Sequence, residues 1–128
     1  MKQFFIIPML FLFSYACQNQ AGQTVVLTPQ EIGRDTVASL QGAIKAAQAQ
    51  YQTSCLTAPT QPVCVNINKA VNAQNALVTS LEAYCGFSPG TSVTDVSACI
   101  PVASAQAGLI AATSNAQVFI TQLKGVIQ

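Results

Sequence analysis

Cysteine is the residue type with the most chemistry to offer here. Five occur among 128 residues: Cys17, Cys55, Cys64, Cys85 and Cys99. A thiol can attack, hold a metal or close a disulfide, and spacing separates these roles. The last four read C-x8-C-x20-C-x13-C, with no C-x-x-C pair and no His anywhere in the chain. Structural zinc sites use closer pairs, and redox sites use C-x-x-C. The lack of His also removes the usual general base, so no Ser or Cys has an activating partner. The acids are Glu31, Asp35, Glu82 and Asp95. Glu31 and Asp35 stand one helical turn apart with Arg34 between them, which suits a helix dipole and solvation. Glu82 and Asp95 fall in different elements. Gly86 and Gly90 belong to a turn, not to a phosphate-cradling loop. The sequence therefore predicts no catalytic residue, no metal and no cofactor.

Whatever positions the cysteines is small and nearly neutral. The chain has length for one domain, with 51% hydrophobic and 7% charged residues and a pI near 7.6. Such a chain has no basic face for nucleic acid, and it is too apolar for a charged disordered tail. Three amphipathic stripes are visible. Thr28-Pro29-Gln30-Glu31 is a helix start: Thr28 caps, Pro29 takes the first position and Glu31 completes a capping box. Val37, Leu40, Ile44, Ala47 and Tyr51 then recur in steps of three and four, opposite Gln41, Lys45, Gln48 and Gln52. The first helix is expected over about 29–53.

A second stripe, Ile67, Val71, Val78, Leu81 and Cys85, predicts a helix over about 65–85, closed by Gly86. Asn68, Asn72, Asn75, Thr79 and Glu82 fall on its other side. After Pro101, the positions Val102, Ala105, Leu109, Ala112, Ala116, Phe119, Leu123 and Val126 predict a third helix over about 100–127. The fold class is all-α: an antiparallel up-down-up three-helix bundle over residues 28–128. Thr24–Leu27 is β-like but too isolated to build a sheet.

The N-terminus reads as an address. Lys2 precedes an apolar run from Phe4 to Phe13, and small residues follow at Ser14 and Ala16. This is the layout of a secretory signal peptide. The run is too short to span a bilayer, and Pro8 interrupts it. Ala16-Cys17, preceded by Ser14-Tyr15, resembles the lipobox of bacterial lipoproteins. The resemblance covers residues 1–17 only, and Ser14 stands where that family usually has Leu. It implies that the Cys17 thiol receives a diacylglycerol and becomes the mature N-terminus. Residues 1–16 are then the signal peptide and 17–27 a flexible tether. Cleavage after Ala16 or Ala21 without lipid is the competing reading. Loss of Lys2 leaves Arg34, Lys45, Lys69 and Lys124 against four acids, a net charge of zero.

Export implies an oxidising compartment, where disulfides persist. In an antiparallel bundle Cys55 and Cys64 bracket one turn, and Cys85 and Cys99 bracket the other. The two turns lie roughly 30 Å apart by helix rise. A disulfide needs Cα atoms within about 7 Å, so the pairs are Cys55–Cys64 and Cys85–Cys99. Each contributes about 3 kcal/mol in the chain-entropy picture. The clamps matter because alanines at 105, 112 and 116 bury little area.

The polar faces carry amides and hydroxyls in place of Lys and Glu. Asn68, Asn72 and Asn75 form the clearest row, a candidate polar contact face for a glycan or an envelope protein. Tyr84 and Phe87 either close the bundle end or add an aromatic contact. The expected role is a small exported, lipid-anchored cell-envelope protein, structural or binding and not catalytic. Its partners would be the membrane, through the lipid, and an envelope protein or glycan. Its place would be the bacterial periplasm or outer membrane. A freely secreted extracellular module, such as an inhibitor, adhesion factor or effector, is the alternative. A carrier of a small apolar ligand is a further one.

Overall fold

The computed structural model describes residues 27–126. The export signal, Cys17, the tether up to residue 26 and the β-like Thr24–Val26 lie outside them. Three helices make the fold: α1 (Pro29–Thr57), α2 (Pro62–Cys85) and α3 (Gln106–Val126). A short 3-10 turn, Ala103–Ala105, leads into α3. There is no strand among the described residues, and each helix packs on the other two. Pro29 and Ile32 of α1 border Leu109 of α3, while the Tyr51 hydroxyl donates to the Val126 carbonyl at 2.9 Å. The first and third helices therefore run the same way, with α2 opposed, as the up-down-up reading requires.

The start of α1 has the Thr28 cap and the Pro29 that the sequence prescribes, but the Glu31 carboxylate takes the Thr28 hydroxyl in place of the backbone amide of a capping box. The Thr28 hydroxyl accepts from the Glu31 amide at 3.3 Å and donates to the Glu31 carboxylate at 2.8 Å. Pro29 stands at the first helical position, where a missing N–H costs nothing. Arg34 and Asp35 form an exposed ion pair at 2.9 Å, worth at most about 1 kcal/mol.

The helix ends differ from expectation in both directions: α1 and α2 are longer at their junction, and α3 starts later. The first turn was expected to fill the space between Cys55 and Cys64. Instead α1 continues to Thr57 and α2 begins at Pro62, leaving only residues 58–61 between them. Each proline marks a boundary. Pro59 forces Ala58 out of the helical region (φ −138°, ψ 71°), and Pro62 occupies the first position of α2. At the other end, Pro101 does not start α3. The flanking amides of Ile100 and Val102 donate to the Cys85 and Tyr84 carbonyls at 3.1 and 2.7 Å. Those carbonyls lack partners within α2, and the chain stays extended to satisfy them. Val102 has φ −104° and ψ 106°.

The core is a column of leucines set among alanines. Leu40, Leu77, Leu81, Leu109 and Leu123 are the largest fully buried side chains beside Cys85. Ala47, Ala70 and Ala116 are equally buried and bring the backbones close. The face of α2 differs from the expected stripe. Ala70, Ala73, Leu77 and Tyr84 are buried, whereas Val71 and Val78 are half-buried flanks. Among the described glycines, Gly33 has the closest neighbours. A Cβ there would stand 3.2 Å from Leu81 Cδ1 and 3.3 Å from Leu109 Cδ1. At Gly108 a Cβ would meet nothing within 4 Å.

These two glycines give opposite expectations in urea unfolding. Gly33→Val overpacks the junction of the three helices and should cost about 1–3 kcal/mol. Gly108→Ala should be neutral or stabilising by up to about 1 kcal/mol. Equal effects at both positions would contradict the packing described.

Candidate functional site

Both disulfides join the expected partners. Cys55, in the last turn of α1, is bonded to Cys64 in the first turn of α2, with Cα atoms 5.5 Å apart. Cys85, the last residue of α2, is bonded to Cys99, with Cα atoms 4.3 Å apart. One bond therefore closes each end of α2. Disulfides of this kind belong to a non-reducing, exported environment. No helix among the described residues is long and apolar enough to cross a membrane. Among the same residues no group of three potential metal ligands occurs.

The segment between Gly86 and Cys99 is more than a polar connection. Val93 and Val96 are buried against the core, which the richness in Gly, Ser, Thr and Pro had concealed. Gly86 takes φ 70°, and the Gly86 and Phe87 amides both donate to the Glu82 carbonyl. Such a left-handed end is open to glycine at little cost. Glu82 itself is not on an outward face. It is 8% exposed, and its carboxylate accepts from the Gly90 amide at 2.7 Å. The helical period set it among polar residues, but the loop folds back over it. Tyr84 is buried and Phe87 half-buried in the same corner, so the aromatic pair closes the bundle end.

Asp95 stays on the exposed surface of this loop and does not join Glu82. Its carboxylate accepts from the Ser97 amide at 2.9 Å. That backbone bond, then a side-chain bond from Ser97, hold the carboxyl below its ordinary value of 3.8. Slight desolvation opposes them, and the Arg34 charge adds a little.

A further opening lies at the other end, between α1 and α2 beside Cys55–Cys64. It is a groove of about 500 Å³. The amides of Gln48, Gln52 and Asn68 line it together with Tyr51, Leu56, Pro59, Ile67 and the disulfide. The Tyr51 ring is fixed through its bond to Val126, while Leu56 is 79% exposed. No charged residue lines the groove. An amide donates and accepts, so this lining suits an uncharged polar ligand with an apolar side.

Asn68, Asn72 and Asn75 are all exposed on α2, as the polar row requires. Only Asn68 reaches the groove, which Gln48 and Gln52 of α1 also line. The sequence placed those two glutamines on the polar face of the first helix, opposite its apolar stripe. Their sharing of one groove with Asn68 arises only when α1 and α2 come together. The chain has no significant match among protein-family models, curated proteins or solved structures.

The loop corner makes two measurable demands. Glu82→Ala strands the Gly90 amide and should lower stability by about 1.5–3 kcal/mol in urea melts, with Glu82→Gln retaining part of it. A carboxyl with a depressed pKa adds stability above its ordinary value and loses it as pH falls through the folded one. Asp95→Ala should therefore weaken the protein at neutral pH and converge with the parent in strong acid. A constant difference between the two across the acid limb would refute this role for Asp95.

Proposed function

We propose that this is a small exported cell-envelope protein of bacterial type, lipid-anchored through Cys17, with a binding or structural role and no catalysis. The observation that carries the reading is the covalent closure at both ends of α2. Such bonds persist outside a reducing cytosol, and residues 1–17 have the layout of an export signal ending in a lipidated cysteine. The filled leucine column supports surface contact over carriage of a ligand inside the bundle. The amide-lined groove supports binding of an uncharged glycan or protein surface, with little dependence on salt.

The layout gives that groove a position suited to presentation. The tether joins the fold at Leu27, beside the start of α1. The groove flanks the end of α1, about 40 Å away by helix rise. An anchor at the first end leaves the second facing outward. The periplasmic or outer-membrane face is the setting proposed for it.

Intact mass of the mature protein tests the anchor. The expected species begins at Cys17 and carries a diacylglyceryl adduct. A chain beginning at Gly22, or at Cys17 without lipid, would remove the anchor and leave a freely secreted module.

A further inference from the structure

The Cys55–Cys64 bond sets the level of three amides as well as joining two helices. Gln48 and Gln52 stand one turn apart near the end of α1, and Asn68 stands one turn beyond Cys64. All three are exposed, and all three line the groove of about 500 Å³. That volume is in the range of small-ligand sites. Among the described residues none of the three side chains makes a hydrogen bond within the fold, so their donors and acceptors are open to a ligand. The apolar part of the lining includes Tyr51 and Leu56. The Tyr51 hydroxyl already donates to the Val126 carbonyl, which holds the ring in place.

We propose that this groove is a saccharide site for an uncharged sugar chain, with Gln48, Gln52 and Asn68 reading ring hydroxyls and Tyr51 and Leu56 receiving the apolar face of a ring. The proposal rests on the reading of the domain as an exported binding module and narrows its partner to one class. The lining selects by exclusion. No charged residue lines the groove, so a nucleotide or an acidic sugar would bring charge with no counter-charge. A wholly apolar ligand would bury the amides without hydrogen bonds. A protein partner needs about 800 Å² on each side, built round aromatic or arginine anchors. The aromatic that lines this groove is half-buried and tied to α3. A neutral sugar matches what is left. Its hydroxyls donate and accept, as primary amides do, and its C–H face packs on apolar or aromatic surface.

NMR of the mature protein tests the site through the side-chain NH2 resonances of its Asn and Gln residues. The probes are maltotriose, cellotriose and triacetylchitotriose. At least one is expected to shift Gln48, Gln52 and Asn68, at low and high salt alike. Asn75, an exposed amide of the same row outside the groove, should not move. The double variant Gln52→Ala, Asn68→Ala should weaken that binding by about tenfold with its helical circular dichroism preserved, and Asn75→Ala should leave it unchanged. No shift with any of the three saccharides would overturn the proposal, as would equal affinity in the double variant. A protein that the parent binds and the double variant does not, with no saccharide binding, would assign the groove to a protein interface and overturn it too. None of these failures touches the export and anchor reading, which is decided by the intact mass.

Discussion

The middle helix is fastened to its neighbours by a covalent bond at each end, and the remainder of the bundle depends on that arrangement. Cys64 ties the first turn of α2 to the last turn of α1, and Cys85 ties its last residue to the loop that leads to α3. Between these points the fully buried leucines and a few larger side chains such as Ile44 and Ile67 alternate with a series of alanines. Alanine lets helices approach but buries little area, so packing alone gives a modest driving force. Cross-links that restrict the unfolded chain complement a core of this kind.

Fastening α2 also determines what its ends can do. At the Cys85 end the terminal carbonyls need donors, and Cys99 returns the chain to where the Ile100 and Val102 amides supply them. The loop then lies over Glu82, whose carboxylate takes the Gly90 amide. Gly90 has φ 88°, a conformation that glycine adopts readily. At the Cys64 end no such loop exists. Only residues 58–61 join the helices, and the gap beside them stays open as the amide-lined groove. One end is sealed by a folded loop, and the other is left accessible.

The parts of this layout that were legible in the sequence are those with local causes. The capping residues Thr28 and Glu31, the periodic Val37, Leu40 and Ile44, and the Gly86 stop each act within a turn or two. The disulfide pairing followed because an antiparallel bundle separates its two turns by more than a disulfide can bridge. What escaped was non-local. Glu82 has the pattern of a surface residue, and only the returning loop buries it. Gln48, Gln52 and Asn68 become neighbours only across the α1–α2 contact. Val93 and Val96 carry no period by which a buried loop residue could be recognised. The boundary at Ala58 was a local signal, since the residue before Pro59 is driven from the helix. Residue 127, where the third helix was expected to end, and the proposed lipid site fall outside the described residues.

The same two bonds have a mechanical meaning. A protein held at one terminus and gripped at its far end carries tension along its backbone. Residues 55–64 and 85–99 are short-circuited by covalent links, with sequence separations of 9 and 14. Under load those stretches cannot pay out, so the fully stretched chain is roughly 70 Å shorter than its uncross-linked equivalent. Force entering α1 crosses to α2 through sulfur at the Cys55–Cys64 end. The connection between the first two helices therefore survives even where their packing gives way.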